Sequence, residues 1–362
     1  MRTSRAAQAL SVSLVLITLS LYVSLSSWPN EVAPRISKIS STTKARFANN
    51  AINNTLLVVP VNRAHMMWVD NFLCSLSPTT FDAKKIVFWA LDPGVQELLE
   101  VRGFTTYHDP SFYSVSTDEN LHDDTRNFKK MMKERPKFFI DMLSTGHDLL
   151  FLDADTVFFD NPLAIRDPNV DIVFSSDSRE FFNKPHKDPF KDVWRKGSRI
   201  PPVCNGIFWM KSNAKTIKIW QDMLDIFESG PRLALYKFFV FKDDQRGMDV
   251  LLNDGRAKLV EPLPKGITPE MLTSRTDVNA DVEVRLLDQT EVVSGHLLRN
   301  RKTLFDQNLK ELKAGGGKQL AIHFNWDPKD QTKESGVREM GLWQLTDDGE
   351  CSHDTKSMDV LK

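Results

Sequence analysis

The sequence predicts an α/β fold in which a mostly parallel sheet is flanked by helices. Two apolar, β-branched runs, TLLVVPV (55–61) and KIVFWAL (85–91), lack polar alternation and read as strands buried on both faces. Between them Val69, Phe72, Leu73 and Leu76 recur at helical spacing, which gives one apolar helix face. Strand, helix and strand with both sheet faces covered is the pattern of a Rossmann-like parallel sheet.

In chain order, Arg2 and Arg5 precede an apolar and Ser/Thr-containing run with no charge until Glu31. Such a run is long enough for one bilayer-spanning helix, expected at 9–28 after a cytosolic tail at 1–8. Basic residues before it and none just after it predict a cytosolic N-terminus and a lumenal body. A cleaved signal peptide is the rival, because SLSS offers small residues for cleavage. Residues 29–53, with Pro, Ser, Thr, Asn and scattered basic residues, read as a flexible stem. The stem ends at Asn53-Asn54-Thr55, an N-glycosylation sequon if this side is lumenal. The body is expected at 54–345, with a tail at 346–362.

After KIVFWAL, Asp92-Pro93-Gly94 reads as a turn. A short helix through Leu98 and Leu99 ends near Gly103, and FTTY (104–107) follows as a strand. The densely charged stretch 118–135 reads as a solvated helix and its approach. Phe138, Phe139, Met142 and Leu143 then form a helical stripe that Gly146 stops. Apolar runs at 149–152, 171–174 and 206–210 are further strands. Ile217, Trp220, Leu224 and Phe227 mark a helix, whereas 181–202 reads as a long loop. AGGGKQ (314–319) lacks the GxxxxGK[ST] spacing and is a surface loop, not a phosphate cradle.

Composition excludes several classes. With 41% hydrophobic and 26% charged residues the chain is not disordered. A net charge of −1 gives no bulk attraction to nucleic acid. Cys74, Cys204 and Cys351 show no CxxC spacing, which excludes a cysteine zinc site and a disulfide-built scaffold. One disulfide is possible in a lumenal domain, and spacing alone does not pair it.

The chemistry centres on LLFLDADTVFFDNP (149–162), where an apolar strand ends abruptly in Asp153 and Asp155. Ligands of open parallel sheets bind beyond the carboxyl ends of the strands. Two hard oxygen donors one residue apart suit a divalent cation bound to a diphosphate. A polar turn after a strand is the plain alternative. DADTV also fits the start of haloacid-dehalogenase-type phosphatases, with Asp153 as nucleophile, although that motif normally opens the domain on its first strand. A non-catalytic lumenal binding domain is a third reading.

The order βαβ, FLDADTVFFDNP, CNGIFWMKSN, DDQ and a late HFN resembles the nucleotide-diphospho-sugar transferase domain of glycosyltransferase family 77. Rhamnogalacturonan xylosyltransferases and extensin arabinosyltransferases belong to that family. The resemblance covers about residues 54–345. It implies a GT-A fold, Mn²⁺ or Mg²⁺ as cofactor, a UDP-sugar donor, a glycan or glycoprotein acceptor and retention of configuration, while Arg2 and Arg5 before the uncharged run predict a single-pass type II Golgi protein. Asp153 and Asp155 match the DxD pair, with Asp153 also near the donor ribose. His323 matches a third metal ligand, a role imidazole fills better for Mn²⁺ than for Mg²⁺. Lys333 matches a lysine that meets the donor phosphates, with Lys329 as a rival.

Lys137 matches a basic residue presented to the donor from the preceding helix, and a solvated helix lysine is its alternative. Asn62, at the end of the first strand, sits where such folds hold uridine, or caps a helix. Asn205-Gly206 resembles the element lining the acceptor side. Asp244 and Gln245 match a pair beside the anomeric carbon, with Asp243 one residue away in register.

Overall fold

The computed structural model describes residues 39–110, 125–190, 199–228, 243–273, 279–325 and 332–352. The expected cytosolic tail, membrane span and first part of the stem lie outside them. No described helix is long and apolar enough to cross a membrane.

The body opens with α1 (Ser41–Asn50), β1 (Thr55–Val61), α2 (Met66–Leu76), β2 (Val87–Ala90), α3 (Pro93–Val101) and β3 (Thr105–Tyr107). Next come α4 (Thr125–Leu143), β4 (Asp148–Leu152), β5 (Thr156–Phe158), β6 (Ile172–Ser176) and β7 (Val203–Met210). Helices α5 (Ala214–Glu228) and α6 (Asp244–Leu252) precede β8 (Ala257–Leu259), α7 (Pro269–Thr273), β9 (Val282–Leu286) and β10 (Val292–Ser294). The chain closes with α8 (Gly295–Asn300), α9 (Lys302–Ala314), β11 (Ala321–His323) and α10 (Lys333–Glu339).

Eight strands form the main sheet in the order β3-β2-β1-β4-β7-β6-β9-β8. All neighbours pair in parallel except β7, which runs antiparallel to both β4 and β6. The mostly parallel α/β architecture expected from the sequence is therefore present. Alternate residues of β1 and β4 feed opposite faces. Val58 and Phe151 join one apolar cluster, while Leu57, Val59, Leu150 and Leu152 join the other. Burial on both faces is why these runs show no polar alternation.

The reversed β7 positions the site. Leu152 pairs with Ile207, so the start of β7 lies beside the end of β4, and the Asp153 amide donates to the Gly206 carbonyl at 2.7 Å. A second, three-stranded sheet has the order β10-β11-β5, and in it His323 lies opposite Thr156. That register carries His323 to the residues just before β5.

Several segments differ from the sequence expectation. Part of the stem is helical: Ser40 caps α1, and Phe47 is fully buried edge-on to Tyr107. A helix anchored by one large aromatic shows no periodic stripe. Asp92-Pro93-Gly94 starts α3 and is not an isolated turn. The Asp92 side chain accepts from the Val95 amide, and Pro93 occupies the first helical turn. From Thr125 onward the charged stretch and the aromatic stripe form one helix, α4, running through Pro136. Residues of the expected C-terminal tail fold back, since Leu345 bridges Cys351, which is disulfide-bonded to Cys74.

Candidate active site

Asp153 follows β4, Asp155 immediately precedes β5, and His323 ends β11. Their ligand atoms lie within 4.8 Å of one another. His323 Nε2 is 3.3 Å from Asp155 Oδ1 and 3.6 Å from Asp153 Oδ2. Among the described residues that nitrogen is buried without a hydrogen-bond partner. An orphaned imidazole nitrogen facing two carboxylates is a group that a cation would satisfy, and the oxygen and nitrogen donor set suits a divalent one. The residues present therefore fit a divalent metal.

Lys333, at the start of α10, ion-pairs with Asp155 and lies 5.7 Å from the centre of the Trp68 ring. Burial opposes ionisation of Asp155, but Lys333 and His323 outweigh it and hold this carboxyl far below the usual range. Burial pushes the Asp153 carboxyl up, against the pull of Arg135. Burial also opposes a charged His323, yet the neighbouring Cys204 and Asp155 outweigh it and raise its pKa.

A polar network adjoins it. Arg135 Nε sits 3.3 Å from Asp244 Oδ2, and Arg135 Nη2 donates to the Asn205 carbonyl at 2.7 Å. The Asn205 side-chain amide donates to Asp244 at 3.1 Å, and its backbone amide donates to Gln245 at 3.3 Å. Gln245 and Asn325 each donate to Asp177 at 2.8 Å. Burial pushes both the Asp244 and the Asp177 carboxyls up to about 6. Among the described residues Asp244 Oδ1 and Asn205 Oδ1 are buried without hydrogen-bond partners.

The structure thus brings together Asp153, Asp155, His323 and Lys333, and links Asn205, Asp244 and Gln245. Asp243 does not join them, because its side chain caps α6 by accepting from the Arg246 amide at 2.8 Å. Asn62 lies buried at the end of β1 with Oδ1 against His65 Nδ1 at 2.5 Å. Lys137 is turned away, paired with Glu134 at 3.2 Å and Glu228 at 3.0 Å. Arg135, two residues earlier on the same helix, contacts Asp244 and Asn205. Lys329 lies outside the described residues.

Four contributors escaped the sequence reading: Arg135, Asp177, Asn325 and Cys204. Arg135 was read among solvated charges, yet it is only 5% exposed, and its guanidinium lies 4.8 Å from the Phe151 ring centre. A signal existed, since Arg135 extends the stripe of Phe138, Phe139 and Met142 backwards at helical spacing. Asp177 follows strand β6, whose apolar residues give way to Ser175 and Ser176 before it. For Asn325 and Cys204 no local signal marks a role.

The sequence profile of nucleotide-diphospho-sugar transferases matches residues 82–336. Similar proteins include a UDP-galactose:fucoside alpha-3-galactosyltransferase of Dictyostelium discoideum, 24% identical over 61% of this chain and 29% of the relative. An arabinosyltransferase of Arabidopsis thaliana is 27% identical over 50% of this chain and 28% of its own length. A UDP-D-xylose:L-fucose alpha-1,3-D-xylosyltransferase of Arabidopsis thaliana is 21% identical over 88% of this chain and 78% of its own length. The chain therefore spans less than a third of the first two relatives.

Proposed function

We propose, from the premise that this chain belongs to the nucleotide-diphospho-sugar transferase family, that it moves a sugar from a UDP-sugar to a glycan or glycoprotein acceptor with retention of configuration. The observation that carries this reading is the convergence of Asp153, Asp155 and His323 within 4.8 Å, with Lys333 paired to Asp155.

Asp153, Asp155 and His323 would hold Mn²⁺ or Mg²⁺, which when bound supplies Lewis-acid charge to a diphosphate leaving group. Lys333 sets an ammonium beside this centre, where a donor phosphate meets a point charge. Breaking the sugar–phosphate bond builds positive charge on the sugar. Asp244 and Gln245, held by Arg135, Asn205 and Asp177, present fixed negative and dipolar groups to that charge. The unpartnered oxygens of Asp244 and Asn205 are acceptors that sugar hydroxyls would satisfy. In front-face transfer the departing phosphate oxygen takes the acceptor's proton, so no strong protein base is required.

The uncharged run at 9–28 supports a type II Golgi anchor. The Cys74–Cys351 disulfide supports a lumenal body, since such bonds persist in oxidising compartments. The phosphatase reading has less support, because Asp153 follows the fourth strand among the described residues and Asp155 is engaged by Lys333.

The test is UDP release by the solubilised full-length protein across a UDP-sugar panel with Mn²⁺. Release that chelation and Asp155→Ala both abolish, with a retained anomeric configuration by NMR, is expected. Normal metal-dependent turnover by Asp155→Ala would refute the assignment. Phosphate release from simple esters with a trapped aspartyl-phosphate at Asp153 would establish the phosphatase instead.

A further inference from the structure

We infer that Cys204 is the positioning residue that orients His323 toward a cation, resting on the metal reading given above. Cys204 Sγ lies 3.4 Å from His323 Nδ1, and the two residues are 2% and 3% exposed. On the other side of the ring, Nε2 lies 3.3 Å from Asp155 Oδ1. The imidazole is thus held between one sulfur and the carboxylate pair.

With Nε2 turned to a cation the ring proton would reside on Nδ1, which would donate a hydrogen bond to the Cys204 sulfur. A partner on the distal nitrogen fixes both tautomer and ring plane. Carboxylates and carbonyls usually fill this role. Here the Cys204 sulfur fills it. Strand β7 contributes twice to the same ring: Cys204 contacts Nδ1, and Gly206 leaves the space where a Cβ would fall 2.3 Å from His323 Cε1. The other two cysteines bond to each other, so Cys204 keeps its thiol.

The experiment measures binding of Mn²⁺ alone to the full-length protein by electron paramagnetic resonance, without donor or acceptor. Cys204→Val removes the hydrogen bond at similar volume, and Cys204→Ala repeats the test should Val distort the strand. Both are expected to weaken Mn²⁺ affinity by about 10- to 100-fold, the usual cost of losing such a partner. Cys204→Ser, which can still accept from Nδ1, should stay within about 3-fold of the parent. Unchanged affinity in the Val and Ala variants overturns the role of Cys204 while leaving the metal centre intact. Equal losses in Ser, Val and Ala overturn it too, because packing and not the hydrogen bond would then matter. Failure of the parent protein to bind Mn²⁺ removes the metal reading itself.

Discussion

Arg135 Nε lies 3.3 Å from Asp244 Oδ2 in an ion pair whose side chains are 6% and 1% exposed. The Arg135 guanidinium also stacks near Phe151 and Phe139, with its Cζ 4.8 and 5.5 Å from the ring centres. Removing one member strands the other charge. Arg135→Met should lower stability by about 3 kcal/mol and abolish transfer, since Asp244 then protonates at neutral pH. The double variant Arg135→Met, Asp244→Asn should recover much of the stability and none of the turnover. Urea unfolding and UDP release on the same preparations separate the two effects. Full activity in Arg135→Met would disprove the link.

Gly206 should tolerate no side chain. A Cβ there would meet His323 Cε1 at 2.3 Å and Asp153 Oδ2 at 2.4 Å, so both groups must shift. Gly206→Ala should therefore reduce turnover on the order of 100-fold, the scale set by an ångström of misplacement. Folding should survive, as judged by circular dichroism. A variant with parental turnover and parental metal affinity would contradict the close approach.

The buried carboxyls give stability a definite slope with pH. Burial pushes Asp249 up to about 8, despite its bond from the Val203 amide at 3.0 Å. In the unfolded chain an Asp titrates near ~3.9. Between those values the folded state holds the extra proton, so stability is full below about 4 and declines up to about 8. The slope for one carboxyl approaches about 1.4 kcal/mol per pH unit. Asp249→Asn keeps the acceptor oxygen for Val203 and should flatten the decline above pH 6, where Asp177 and Asp244 contribute little more. Urea unfolding at several pH values checks this, and parallel curves for parent and variant would exclude it.

The Cys74–Cys351 bond joins α2 to the C-terminal turn across 277 residues of sequence. Cys74→Ser should cost about 2–5 kcal/mol. A reductant should destabilise the parent by a similar amount and leave the variant unaffected. Thermal melts with and without reductant measure both arms, and a parent indifferent to reductant would show the bond contributes nothing.

The main strands were legible because burial on both faces writes itself locally as continuous apolar runs, as in Leu56–Val59 and Leu149–Leu152. The abrupt stop at Asp153 was equally legible, since the apolar run of β4 is buried to its last residue and gives way at once to a carboxylate. The strands β5, β8, β9 and β10 were not; in β8 and β9, Lys258, Glu283 and Arg285 interrupt the apolar residues, so no continuous run marks them. Tertiary structure alone decided that β7 runs backwards, which delivers Cys204, Asn205 and Gly206 to the end of β4. It alone carried His323 to carboxylates 168 and 170 residues earlier in the chain, and set Arg135 against Asp244 while Lys137 pairs with Glu228. Sequence records how much of a side chain's neighbourhood is apolar. Which charge meets which is settled only when distant segments cross, because an ion pair leaves no periodic trace in either partner.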